Sequence, residues 1–277
     1  MLTRRHFIGQ TIRAAVLIGA GNTLLSFAPG TFALPDRKKV KLRFALASDG
    51  HFGQAKTDFD LTHSTMVDWL NKEKASRGLD FSVINGDLFH DKPEFFPKVK
   101  MVWDGLSMPW YATHGNHDHV PEEEWKSALG YSWHHAFEQG NTGFIILNTA
   151  DVTGKYICPD LSYAETQLKR FAGKKHLFVF MHITPFKWTD NGIECPELTS
   201  MFARQPNLKG VFHGHDHDQD DVKENSGKHY FFDGHIGGSW GTPYYGYRIV
   251  EVLKNGDVLT YQMNGTLSKQ QNSNTIK

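Results

Sequence analysis

Apolar positions fall into short continuous runs and helical stripes, and the order of these predicts the elements. Residues 40–48 read as a buried strand ending at Asp49. Residues 61–74 place Leu61, Met66, Trp69 and Leu70 at helical spacing. Residues 79–85 read as a second buried strand, ending at Gly86-Asp87. Residues 95–106 predict a helix after Pro93, and residues 110–113 a short strand leading to Gly115-Asn116. Pro121 followed by Glu122, Glu123 and Glu124 marks a helix start, with proline and acids where free amides and the helix dipole favour them.

The pattern then changes. Residues 131–151 hold two short strands around the turn Gly140-Asn141, a hairpin signal. Residues 163–171 predict a helix, residues 176–181 a strand that delivers His182, and residues 197–203 a helix. Residues 208–212 predict a strand that delivers Gly214-His215. Residues 230–233 and 244–253 are further strands, and Asn255-Gly256-Asp257 turns into residues 258–263 as a hairpin. Strands alternate with helices early and pair with strands later. That order predicts a mixed α/β domain with two sheets, its site in short loops at strand ends. No linker divides the chain, so residues 34–266 read as one catalytic domain, and the polar tail, residues 267–277, reads as disordered.

Candidate chemistry sits where the apolar runs stop. Five polar blocks stand in order: Asp49-Gly50-His51, Gly86-Asp87-Leu88-Phe89-His90, Gly115-Asn116-His117-Asp118, His182, and Gly214-His215-Asp216-His217. If those strand ends line one sheet edge, Asp49, His51, Asp87, Asn116, His182, His215 and His217 converge. Members of the pairs Asp49/His51 and His215/His217 are two apart, which on a strand end puts both side chains on one side. Their donors are carboxylate, imidazole and amide, a set that suits Mn, Fe, Zn, Co or Ni rather than a thiolate-seeking metal.

In order and spacing the blocks resemble the calcineurin-like metallophosphoesterase superfamily, over roughly residues 40–263. The resemblance implies a four-layer α-β-β-α sandwich of two mixed sheets flanked by helices. It implies two divalent metal ions, one held by Asp49, His51, Asp87 and His217, the other by Asp87, Asn116, His182 and His215. Asp87 would bridge them through its two oxygens, and a hydroxide between the metals would attack phosphorus. Asn116 and His117 would touch the substrate, with His117 as general acid and His90 as its orienting partner. Three residues after the bridging Asp, calcineurin-type phosphatases carry Asp and purple acid phosphatases a ligating Tyr. Here that position is His90, as in the family's DNA-repair nucleases, and His51 is also present, so the purple-phosphatase reading is disfavoured. Asp91 falls one position off and is not counted. Asp118 is expected to play a structural role around the ligands.

The leader changes the compartment. Arg4-Arg5-His6-Phe7-Ile8 is similar to a twin-arginine export signal, and a weakly apolar stretch follows over residues 12–28. Cleavage is expected after Ala33, so residues 1–33 read as a signal peptide and the protein as periplasmic or otherwise exported. An N-terminal anchoring helix is the alternative, and no later segment is apolar enough to cross a bilayer. The chain holds 30 basic and 30 acidic residues. Without the leader, which carries Arg4, Arg5 and Arg13 and no acid, the balance is 27 to 30, so there is no bulk attraction for nucleic acid. Cys158 and Cys195 both adjoin a proline and could pair in an oxidising compartment. His63, His134, His135, His213 and His229 lie outside the blocks and read as surface or packing residues. Trp188, Trp240, Tyr244 and Tyr245 read as core or ordinary surface, with a substrate rim as the alternative.

The expectation is therefore an exported metallophosphoesterase acting on small phosphate mono- or diesters, with the export machinery as its partner through the leader. Residues 131–149 look like the matching segment of the superfamily's compact phosphatases and cyclic-nucleotide phosphodiesterases. A nuclease is the alternative, favoured locally by residues 86–93. A 5′-nucleotidase or a non-catalytic scaffold is a weaker one, since no second domain follows and no ligand is missing.

Overall fold

The computed structural model describes residues 12–27 and 33–265. In chain order the elements are β1 (Ile12–Ile18), β2 (Leu24–Phe27), β3 (Val40–Ala47), α1 (Phe59–Arg77), β4 (Phe81–Asn85), α2 (Phe96–Trp103), β5 (Trp110–Thr113), α3 (Glu122–Leu129), β6 (His135–Gln139), β7 (Thr142–Leu147), α4 (Leu161–Arg170), β8 (His176–Met181), α5 (Pro196–Ala203), β9 (Leu208–His213), β10 (Val222–Asn225), β11 (Lys228–Phe232), β12 (Gly246–Leu253) and β13 (Val258–Asn264). One sheet runs β2-β1-β13-β12-β3-β4-β5 and the other β10-β11-β9-β8-β7-β6. Strands β3, β4 and β5 are parallel, as are β7, β8, β9 and β11, and the remaining neighbours are antiparallel.

Two sheets stack because each central strand is apolar on both faces. Between them Phe44 of β3 meets Phe144, Phe178, Phe180 and Phe212 of the opposite sheet edge-on, with ring centroids 5.3–6.5 Å apart. Burying each such ring stabilises the fold by about 2–3 kcal/mol. On the outer face of the first sheet, Met66 and Leu70 of α1, Val99 and Trp103 of α2 and Trp125 of α3 form a second core. On the outer face of the other sheet, Ala164 and Leu168 of α4 and Leu198 and Phe202 of α5 form a third. The result is the four-layer α-β-β-α sandwich expected. The stacking leaves the carboxyl ends of β3, β4, β5, β8 and β9 at one edge, where the five polar blocks begin.

Two regions differ from the sequence reading. The first is residues 12–27, expected as leader. They form an antiparallel hairpin, with Ile12–Ile18 pairing along β13. Val16 and Ile18 enter the inter-sheet core and Ala15 the outer one. β-branched residues on a flat, half-buried ribbon favour a strand, and the turn closes with Asn22 at φ 66°. Lys209 Nζ donates to the Ala20 carbonyl at 3.0 Å and pins the turn to the second sheet. Arg4, Arg5 and the residues just before Ala33 lie outside the described residues, as does the tail 267–277. The second region is β10, an edge strand missed because Lys223 and Glu224 break any apolar alternation; its two-residue turn, Ser226-Gly227, has both φ positive.

No helix among the described residues is long and apolar enough to cross a membrane. Cys158, ahead of α4, and Cys195, capping α5, are disulfide-bonded with Cα atoms 5.7 Å apart. The bond ties the loop before α4 to the segment that follows His182, and it is compatible with an exported protein.

Candidate metal centre

Each block leaves its strand through a sharp turn. Asp49, His51, Asp87 and His215 all hold positive φ, between 48° and 68°. Backbone strain of this kind costs about 1–3 kcal/mol per residue and persists only where surrounding contacts impose it. Those contacts are visible: Asp49 N–H donates to the Gly86 carbonyl at 3.1 Å, and Gly50 and His51 N–H both donate to the Asp87 carbonyl at 2.9 Å. The first two loops are thus laced together. Gly86 and Gly115 are required by close approach. A Cβ on Gly86 would lie 2.2 Å from His182 Nδ1, and one on Gly115 would lie 2.2 Å from both the amide nitrogen and Oδ1 of Asp87.

Beside a half-buried group, His51/His90/His117, two fully buried clusters result, Asp49/His51/His217 and Asp87/His182/His215. They meet at both carboxylates, Asp49 Oδ1 lying 3.8 Å from His182 Nε2. Asp87 Oδ2 is 3.5 Å from His51 Nε2 and 3.2 Å from His182 Nε2. Asp87 Oδ1 accepts the His117 amide at 2.9 Å. Asn116 stands between Gly115 and His117, both in contact with Asp87. His217 Nε2 is 3.2 Å from Asp49 Oδ1 and 3.0 Å from His51 Nε2.

The far side of each imidazole is fixed. His182 Nδ1 donates to the Asn85 carbonyl at 2.8 Å, and His217 Nδ1 faces the Trp240 carbonyl at 3.2 Å. Each leaves Nε2 as the inward donor, the tautomer a metal ligand needs. Asp118 plays the structural part expected of it, accepting from the Gly115 amide at 2.9 Å and the Phe89 amide at 3.2 Å.

The residues fit a divalent metal. His215 Nε2 and Asn116 Oδ1 are buried and have no hydrogen-bond partner, a costly state unless something else satisfies them. Burial opposes charge on His182, yet the Asp87 and Asp49 carboxylates pull its pKa up to about 10. Burial likewise opposes charge on Asp49 and Asp87, yet His217 and His182 respectively hold them well below the usual carboxylate range. Burial instead pushes His51 down to about 3 and His215 down to about 4. Burial also opposes charge on His217, yet Asp49 pulls its pKa up; two ionised carboxylates facing these imidazoles suit a cation, which would take the place of the protons on His182 and His217.

Around the general-acid candidate the structure corrects the sequence reading. The hydrogen-bond partner of His117 is Asp91, with Nδ1 to Oδ1 at 2.6 Å. Counting along the chain discounted Asp91, but its φ of 62° turns the carboxylate back to His117. His90 instead stacks on the His117 ring, with centroids 4.6 Å apart and 18° between planes, and its Nδ1 lies 3.1 Å from His51 Nδ1. Sequence reasoning also gave no weight to Tyr156, whose ring meets His215 edge-on at 5.0 Å. Trp240, given only as an alternative, lies flat on His217, with centroids 4.4 Å apart. Trp188 packs into the third core. His63 and His213 are fully buried packing residues.

The calcineurin-like phosphoesterase family matches residues 42–219. Among solved structures, a dimetal phosphatase from Danio rerio is similar at a TM-score of 0.64 and 12% identity, covering 81% of this chain and 96% of the other. A calcineurin-like phosphoesterase from Bacillus subtilis is similar at 0.51 and 12% identity, covering 84% and 93%. A candidate 5′-nucleotidase from Staphylococcus aureus gives 0.55 and 15% identity, covering 85% of this chain but only 56% of its own. No curated protein matches the chain. At these identities the structures speak for the fold, and the family match for the chemistry. The chain belongs to the calcineurin-like phosphoesterase family and is a metal-dependent phosphoric ester hydrolase.

Proposed function

We propose that the protein is an exported phosphoesterase that uses two divalent cations to hydrolyse small phosphate mono- or diesters. The observation that carries this is the meeting of two histidine–carboxylate clusters at the Asp49 and Asp87 carboxylates. Asp49, His51, Asp87 and His217 would hold one cation, and Asp87, Asn116, His182 and His215 the other. When bound, such a pair polarises the phosphoryl oxygens and supplies a nucleophile from water near neutral pH. Mn, Fe, Zn, Co and Ni all suit the nitrogen and oxygen donors.

The protein's own residues do the rest. Asp91 takes the hydrogen bond from His117 Nδ1, so Nε2 is the atom left to give a proton to the departing oxygen. The stacked His90 ring keeps the imidazole from turning. Asn116, which follows the glycine packed on Asp87, would orient a phosphoryl oxygen. Export is supported by Arg4-Arg5 and by the Cys158–Cys195 disulfide.

A nuclease is the second reading, resting on Gly86-Asp87-Leu88-Phe89-His90 and the stacking of His90 on His117. The slight acidity of the chain without its leader weighs against it. The test is turnover of an aryl monoester, an aryl diester, a cyclic nucleotide and DNA by the metal-loaded protein. Hydrolysis of one or more of the small esters is expected. Preferred cleavage of DNA would move the assignment to the second reading, and no turnover with metal confirmed bound would defeat both.

A further inference from the structure

Beside the metal centre lies an aromatic cavity that the hydrolytic residues do not use. Residues 234–245 join β11 to β12 and wrap against the first block: a Cβ on Gly237 would lie 2.1 Å from the Gly50 carbonyl oxygen, and one on Gly238 would lie 3.0 Å from His217 and 3.2 Å from His51. The wall so formed, which includes His235, Ser239, Trp240, Thr242 and Tyr245, borders an open depression of about 350 Å³. Two of its rings lie nearly parallel to His217, while Tyr245 stands 77° to His235. Trp240 lies 4° from the plane of His217, and His235 lies 13° from it on centroids 5.3 Å apart. Trp240 nevertheless keeps 48% of its surface exposed, although large aromatic rings are ordinarily covered. The lining contains no Lys, Arg, Asp or Glu.

We infer that this cavity is the leaving-group subsite and that it takes a flat, uncharged aromatic or heteroaromatic ring. The inference rests on the phosphoesterase reading, which places the phosphoryl group beside His217. A ring laid on the exposed surface of Trp240 would extend the stack that Trp240 makes with His217, a geometry aromatic systems favour. A second phosphate would find no cation in the wall, so the alcohol side of the ester carries no further charge. The preferred substrate class is an ester joining one phosphate to a single neutral, ring-bearing alcohol.

The test uses non-hydrolysable ligands on the metal-loaded full chain. Inhibition constants for methyl-, cyclohexyl- and phenylphosphonate are measured against one aryl phosphate, for the native protein, Trp240→Phe and Trp240→Ala. Phenylphosphonate is expected to bind about tenfold more tightly than methylphosphonate, since a stacking contact near 1.4 kcal/mol corresponds to that factor. Cyclohexylphosphonate should fall between. Trp240→Phe should keep most of the phenyl preference, and Trp240→Ala should lower the phenyl-to-methyl ratio below about two. Equal binding of the phenyl and methyl compounds by the native protein, or of the phenyl and cyclohexyl compounds, would overturn the flat-ring assignment. So would a Trp240→Ala protein that weakens all three by one factor, which would mean that Trp240 only positions His217. Failure of all three phosphonates to inhibit, with no turnover of the aryl phosphate, would instead remove the phosphoesterase reading on which the subsite depends.

Discussion

At the scale of single residues, the site depends on close approaches that tolerate no extra atom. Gly115→Ala would place a methyl 2.2 Å from the backbone nitrogen of Asp87, where no flexible side chain can yield. The substituted protein should bind less than half the metal of the native one by elemental analysis while keeping its far-UV spectrum; full metal content would show that the loop has more slack than this geometry allows. The His117–Asp91 pair makes a second prediction. His117→Ala should lower kcat by about 10²–10⁴, the usual worth of a general acid. Asp91→Asn, which keeps the shape but removes the charge, should lower it by about tenfold or more with metal content unchanged. Native kcat in Asp91→Asn would end the positioning role. The candidate ligands were legible because each stands near the end of an apolar run, even His182 with no motif around it. Asp91 was not, because linear spacing says nothing of a residue whose positive φ reverses its direction.

At the scale of elements, α1 carries a buried histidine into the first core. His63 sits between Phe52 and Trp103, Nδ1 against the Phe59 carbonyl at 2.7 Å, and burial pushes its pKa down to about 4. A histidine depressed in the folded state contributes stability above its unfolded pKa, and this is lost as pH falls toward the folded value. Between pH 7 and 4.5 it should cost the protein about 2–3 kcal/mol. His63→Leu should therefore show a correspondingly shallower acid loss in denaturant titrations; parallel curves for the two proteins would contradict the assignment. The N-terminal hairpin is an element that the leader reading did not include. An apolar stretch after paired arginines reads as leader, yet the same β-branched residues complete the sheet along β13. If cleavage after Ala33 follows export, β13 becomes an edge. Its amides should then exchange hydrogen faster in the protein recovered from the periplasm than in an Arg4→Lys/Arg5→Lys precursor held in the cytoplasm. Equal protection in the two forms would show that the hairpin stays in place.

For the whole molecule, the two-sheet sandwich followed from the alternation of strands and helices early in the chain and the pairing of strands later. What pattern could not supply was how the sheets face each other. That depends on Phe44 meeting four phenylalanines of the opposite sheet, contacts between residues roughly 100–170 positions apart. The same stacking carries His215 N–H to the Asp49 carboxylate, 3.0 Å from each oxygen, and so joins residues that follow strands of different sheets. Because four of the seven candidate ligands follow strands of one sheet and three follow strands of the other, metal binding and sheet packing would be coupled, and metal should raise the melting temperature as well as activity. The most direct measurement is a titration of chelator-stripped protein with Mn(II), following bound ion and hydrolysis of an aryl phosphate diester together. Two ions per chain are predicted, with turnover rising mainly with the second. Saturation at one ion per chain, or two bound ions without turnover of any small phosphate ester, would contradict the account.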